Sequence, residues 1–146
     1  MGKALGIDFG SKRIGISISD NNKILATPLT TVSTNLIYDF ISELLIREKI
    51  DFIVVGLARD LKNKSTDATV HTEQFINRLR NIYKKMPIYT IDERFTSKTA
   101  KRVIISSGIK KNKRRDKKLV DKISAAIILQ DYIDNFSKTI SENPIN

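Results

Sequence analysis

Leu5-Gly-Ile-Asp-Phe-Gly-Ser-Lys-Arg-Ile-Gly-Ile-Ser-Ile-Ser-Asp20 is the stretch whose reading decides the fold. It opens as an apolar strand that ends in a carboxylate, Asp8, and passes through a Gly-containing turn. A second strand follows, alternating Ile14, Ile16 and Ile18 with Gly15, Ser17 and Ser19, so the isoleucines share one face and the small residues the other. Asp8 therefore stands on a rigid element. Gly6 and Gly10 are expected to keep the space in front of it open for a bulky charged group. A carboxylate held in that way suits a divalent cation or a phosphate-bound metal. Taken alone, an Asp before Phe-Gly is equally a turn residue.

Outward from this hairpin, Asp20-Asn-Asn22 supplies turn chemistry before a third short strand, Lys23 to Pro28. Pro28 lacks a donor and belongs at a strand end or edge. Leu36, Ile37, Phe40, Ile41, Leu44 and Leu45 recur at helical spacing up to about Lys49, with Ser33, Thr34 or Asn35 as N-cap. Phe52-Ile-Val-Val55, closed by Gly56, is apolar on both faces, the pattern of a central parallel strand. The polar run from Leu57 to Ala68 reads as a loop at that strand's carboxyl end, where α/β folds bind ligands.

Val70, Phe75, Ile76, Leu79, Ile82 and Tyr83 mark a second amphipathic helix that stops before Pro87. His71, near its start, reads as a solvated helix residue. Pro87 to Ile91 is a strand that runs into Asp92-Glu93, and Thr96 or Ser97 caps a helix ending near Gly108. The last helix, from about Lys118 to Phe136, carries Leu119, Ile123, Ala126, Ile127, Gln130 and Ile133 as its stripe. The order β-β-β-α-β-α-β-α-α implies a mixed sheet with helices against it. One domain is expected over residues 1–138, with 139–146 as a flexible tail.

Bulk composition narrows the chemistry. A length of 146 residues suits a single domain, so one site is expected and not an interdomain cleft. Lys and Arg number 26 against 16 Asp and Glu, a net charge of +10 that suits a polyanionic partner. There is no Cys and one His, which excludes disulfides, thiolate sites and multi-His zinc centres. Any metal must be held by carboxylates, which favours Mg²⁺ or Mn²⁺. No apolar stretch has signal-peptide or membrane-spanning length, so a cytoplasmic protein with no membrane partner is expected.

Three acidic positions stand out: Asp8 after the first strand, Asp92-Glu93 after the last, and Asp121 near the start of the final helix. Right-handed crossovers let the first and last strands lie close, so carboxylates at matching ends can converge. Asp92 and Glu93 equally suit a helix N-terminus, and Asp121 an ordinary first-turn acid. Between these acids, residues 110–118 hold Lys110, Lys111, Lys113, Arg114, Arg115, Lys117 and Lys118 with a single acid, Asp116. The block is suited to gripping phosphates without reading sequence.

Gly6-Ile-Asp-Phe-Gly-Ser-Lys-Arg-Ile-Gly15, Val54-Val-Gly-Leu57, Asp92-Glu-Arg-Phe-Thr-Ser97 and Leu119-Val-Asp-Lys-Ile-Ser-Ala-Ala-Ile-Ile-Leu-Gln130 together resemble the YqgF/RuvX family of ribonuclease H-like nucleases. The resemblance covers almost the whole chain in the expected order. It implies an α/β, ribonuclease H-like fold with a mixed five-stranded sheet flanked by helices, and an acidic metal site of Asp8, Glu93 and Asp121. Successive strand residues face opposite ways, so only one of Asp92 and Glu93 can face the metals, and Glu93 is preferred. Ala58 departs from the Pro that members often have after the Gly-Leu pair.

The implied chemistry is phosphodiester hydrolysis with two Mg²⁺ or Mn²⁺ ions, with Lys12, Arg13 and Arg94 as contacts to the nucleic-acid backbone, Arg94 suiting an ion pair with Asp92 equally well. The implied substrate is the 5′ end of precursor 16S ribosomal RNA. A junction-resolving DNA nuclease is the nearest alternative. Two other classes stay open: a nucleotide-binding domain, since Gly6 to Gly10 also resembles the phosphate loop of the actin and sugar-kinase superfamily, and a binding module without catalysis. Oligomeric state is not legible.

Overall fold

The computed structural model describes residues 1–57, 67–92 and 117–142. Its elements are β1 (Lys3–Asp8), β2 (Arg13–Ser19), β3 (Ala26–Ser33), a 3₁₀ turn (Thr34–Leu36), α1 (Ile37–Arg47), β4 (Ile50–Leu57), α2 (Asp67–Ile82), β5 (Ile88–Asp92) and α3 (Lys117–Glu142). The five strands form one sheet in the order β3-β2-β1-β4-β5. β1 pairs antiparallel with β2 and parallel with β4, and β5 joins β4 in parallel, so the sheet is mixed as expected. The helix anticipated over residues 96–108 lies outside the described residues, as does Ala58.

Side-chain alternation sorts the core into two layers. Leu5, Ile7, Ile14, Ile16, Ile53, Val55 and Leu57 pack on one face against Ile37 and Ile41 of α1 and Phe75, Ile76 and Leu79 of α2. Ala4, Phe52, Val54 and Ile91 pack on the other face against Ile123, Ala126, Leu129, Tyr132 and Ile133 of α3. Leu5, Ile7, Ile14, Ile16, Ile53 and Leu79 are fully buried, each contributing about 1.5–3 kcal/mol of hydrophobic free energy. A one-residue slip in β2 would turn its isoleucines onto α3, which holds the register.

Several element bounds differ from the sequence expectations. β3 begins at Ala26 and runs to Ser33, because Pro28 lies on the outermost strand, where a missing donor is tolerated, and the β-branched run Thr30-Thr-Val32 continues the pairing. β4 spans eight residues where four were expected, since Ile50 and Leu57 extend the buried run. α3 continues to Glu142, six residues past the expected end at Phe136, because nothing between them breaks a helix before Pro144. The Asp20 turn forms as anticipated: its carboxylate accepts from the backbone N–H groups of Ile24 and Leu25, both at 2.8 Å, and Lys23 takes a positive φ of 55°.

Candidate active site

Asp8 ends β1 directly opposite Gly15 of β2. Directly opposed residues of an antiparallel pair share a face, so the placement of Gly15 fixes that of Asp8. A Cβ on Gly15 would stand 1.9 Å from the backbone oxygen of Asp121, so the first turns of α3 lie against the strand backbone there. Asp8 and the start of α3 that carries Asp121 therefore lie on the same side of the sheet, at the carboxyl end of β1.

The close approach continues down the helix. A Cβ on Gly6 would stand 2.7 Å from the Leu129 Cβ and 2.8 Å from the Ala125 oxygen. The Ser17 hydroxyl donates to that same Ala125 oxygen at 2.7 Å, and the Thr31 hydroxyl donates to the Lys118 carbonyl. Further along, the fully buried Gln130 accepts from the Ala26 N–H at 2.8 Å and donates to the Ile24 carbonyl at 3.0 Å. These polar contacts fix the helix in rotation and translation.

They also correct the expected role of two glycines. Gly6 does not hold space open for a ligand, since α3 fills that space. Gly10 serves the turn itself, where a Cβ would fall 2.4 Å from the Arg13 carbonyl oxygen. The residues that set the site are thus Gly6, Gly15 and Ser17, and only the alternation of small residues along β2 signalled the last two.

Arg13 donates through Nε to Asp121 Oδ2 at 2.7 Å, with both side chains partly exposed. Arg13, expected at a nucleic-acid backbone, is held in this structure by an ion pair with Asp121. Lys12 is exposed on the adjoining turn, and its carbonyl accepts from the Thr34 N–H at 3.1 Å. Lys117 and Lys118 open α3 and are exposed, so two cations of the basic block stand one turn before Asp121. Lys110, Lys111, Lys113, Arg114 and Arg115 lie outside the described residues, as do Glu93 and Arg94.

β5 lies close to β1, as expected, with β4 between them. The gap is two strand spacings, roughly 10 Å, which carboxylates on either side of shared ions can span. Asp92 pairs with Leu57, which is buried on the α1 and α2 side, whereas Ile91 packs on the α3 side. Alternation therefore turns Asp92 away from the face that carries Asp8.

Among the described residues, no three acids or histidines form a group able to hold a metal ion. The donors present nonetheless fit a hard divalent cation: Asp8 and Asp121 offer carboxylate oxygens only, and the Arg13 guanidinium shows Asp121 already turned toward positive charge. Among the described residues, no helix is long and apolar enough to cross a membrane.

Comparison with known proteins agrees with the fold. Residues 2–135 match the RuvX family, described as Holliday junction resolvase. A Porphyromonas gingivalis protein named as a candidate pre-16S rRNA nuclease is 43% identical over 135 residues, covering 92% of this chain and 98% of its own. A Bacteroides fragilis protein of the same name is 40% identical over 134 residues, covering 92% and 97%. Among solved structures, T. thermophilus RuvC in complex with a Holliday junction substrate superposes with a TM-score of 0.64 at 16% identity, covering 95% of this chain and 96% of that one. Yeast mitochondrial Holliday junction resolvase Ydc2 gives 0.55 at 14%, covering 95% and 83%. These structures share the ribonuclease H-like fold with this chain.

Proposed function

Because the chain belongs to the RuvX family, we propose that it is a metal-dependent endonuclease that hydrolyses phosphodiester bonds in structured nucleic acid, with the 5′ end of precursor 16S rRNA as its substrate. The observation that carries the reading is the placement of Asp8 and of Asp121 on either side of Gly15, where the strand backbone and α3 touch. The names of the Porphyromonas and Bacteroides relatives support this choice of substrate, and the family's description as Holliday junction resolvase keeps a DNA junction as the alternative.

In this reading Asp8, Glu93 and Asp121 hold Mg²⁺ or Mn²⁺. Two such ions supply, when bound, water activation and stabilisation of the leaving oxygen. The rest falls to the chain. The sheet and the tightly packed start of α3 hold Asp8 and Asp121 in fixed positions, so little reorganisation accompanies reaction. Asp92 faces away, which leaves Glu93 as the acid of that pair to complete the set. Lys12, Lys117 and Lys118, with Lys110, Lys111, Lys113, Arg114, Arg115 and Arg94, hold the phosphate backbone. Arg13, paired with Asp121, would be free to contact the phosphate if a cation took its place on that carboxylate. The set of roles needs no Ser or Cys nucleophile.

The test is cleavage of a precursor rRNA fragment and of a four-way DNA junction by purified protein in Mn²⁺ and in Mg²⁺. The rRNA fragment is expected to be cut, and Asp8→Asn to abolish cutting while the fold, read by circular dichroism, is unchanged. Equal cleavage by the mutant would overturn the site, and preferential cutting of the junction would overturn the substrate.

A further inference from the structure

We propose that the cleft between the start of α1 and the middle of α2 seats one unpaired base of the nucleic-acid strand whose backbone crosses the carboxylate site. The choice of ligand rests on the nuclease reading; the cleft itself does not.

The cleft has a volume of about 410 Å³, within the range of small-molecule sites and large enough for a single nucleotide. Its walls include Phe9, Tyr38, Phe75, His71, Gln74 and Arg78. Phe9 and Phe75 are stacked with centroids 4.6 Å apart, Tyr38 lies 6.0 Å from Phe75, and the Arg78 guanidinium sits 4.7 Å from the Tyr38 ring centre. Phe75 is buried in the core, so the aromatic wall is anchored and not a loose surface patch. His71, Gln74 and Arg78 are exposed around it. A planar guanidinium on an aromatic ring, with an imidazole and an amide nearby, offers stacking faces, donors for base edges and a charge for a phosphate.

Position connects this cleft to the acids. Phe9 follows Asp8 directly and packs against the α1 and α2 layer, while Asp8 lies on the α3 side. A strand that reaches both must pass over the carboxyl end of β1. The two are held in fixed relation, because Thr34, in the cleft wall, donates through Oγ1 to the Gly10 carbonyl at 2.8 Å and through its N–H to the Lys12 carbonyl at 3.1 Å. The excess of Lys and Arg over acids favours a polyanion over a neutral or basic partner. A base stacked within a duplex cannot enter such a cleft, so the occupant is unpaired.

The measurement is fluorescence anisotropy of a labelled single-stranded RNA of twelve nucleotides, against an abasic strand of equal length and charge, in EDTA. Wild-type protein is expected to bind the strand with bases about tenfold more tightly. Arg78→Lys, which keeps the charge and loses the plane, and Tyr38→Leu are expected to remove most of that preference while leaving the abasic affinity within about twofold of wild type. His71→Ala, at an exposed position, is expected to reduce the preference by a smaller factor. Equal binding of the two strands by wild type, equal weakening of both strands by Arg78→Lys, or no binding of either would overturn the proposal. Asp8→Asn is expected to keep the preference, because the assay contains no metal. A failure of the cleavage reading is therefore seen separately from a failure of the cleft.

Discussion

The two faces of the sheet are packed by different means. On the α1 and α2 side, β1, β2 and β4 present Leu5, Ile7, Ile14, Ile16, Ile53 and Val55, and the helices rest on bulky side chains. On the α3 side, β1 and β2 present Ala4, Gly6, Gly15, Ser17 and Ser19, and the helix backbone comes against these two strands, while β4 and β5 present Phe52, Val54 and Ile91. Bulky packing stores hydrophobic free energy with modest directional demand. Close backbone packing joined by hydrogen bonds fixes where each helical residue lies, which is what a carboxylate near the helix start requires if it is to act with one on a strand. The first face thus chiefly stabilises the fold, and the second chiefly positions the acids.

The comparison can be broken most severely at the acids. Asp8→Asn is expected to lower Mn²⁺-dependent cleavage by about a thousandfold or more, the several kcal/mol of charge stabilisation that a metal site supplies. A change of less than tenfold in single-turnover rate would remove Asp8 from the site. On the opposite face, Leu79→Ala is expected to cost about 2–5 kcal/mol in urea unfolding, yet to leave Mn²⁺ affinity at low temperature unchanged. A loss of metal affinity there would erase the division of labour between the faces.

Gly15→Val tests the positioning face directly. Its side chain would displace the backbone at Asp121, with a stability loss of about 1–3 kcal/mol. A misplacement near 1 Å is also expected to slow cleavage by about a hundredfold. Loss of stability without loss of rate would mean that helix placement does not govern the acids. Arg13→Gln sharpens the picture further. With the guanidinium no longer competing for Asp121, Mn²⁺ binding by calorimetry is expected to tighten about fivefold, the scale of a partly exposed ion pair. Weaker binding would make Arg13 a positioning residue for the carboxylate.

The smallest effect lies at the amino end of the sheet. Burial opposes ionisation of Asp51, but donation from Lys23 at 2.6 Å and from the Gly2 N–H at 2.9 Å outweighs it and holds the carboxyl below its ordinary value of 3.8. A depressed carboxylate pKa contributes stability above the unfolded value, and that contribution is lost as pH falls through the folded one. Asp51→Asn is therefore expected to cost at most about 1 kcal/mol at neutral pH. The difference from wild type should shrink as pH falls below the ordinary value and vanish only below the depressed folded-state value. A difference that persists there would assign the effect to packing and not to charge.

How far the site was legible depends on the physics of each part. The hairpin, the isoleucine face and Asp8 at a strand end follow from period-2 alternation, which is local. The parallel strand at residues 52–55 was recognisable because burial on both faces leaves an unbroken apolar run, although its ends at Ile50 and Leu57 were not. The glycines were located correctly but assigned the wrong neighbour, since a sequence shows that a side chain is absent and not what fills the space. The cleft residues gave no signal, because Phe9, Tyr38 and Arg78 belong to separate elements and His71 reads alone as a solvated position.

The sequence by itself determined the class of fold, the charge that suits a polyanion, the restriction to oxygen ligands and the family resemblance. Each is a property of composition or of short-range periodicity, which the chain carries before it folds. Tertiary structure alone decided that α3 lies on Gly6 and Gly15, that Arg13 pairs with Asp121, that β4 separates β1 from β5, and that Asp92 faces away from Asp8. These are relations between residues far apart in the chain. They depend on strand order and on the distance at which a helix can seat, and both are settled only when the whole core packs at once.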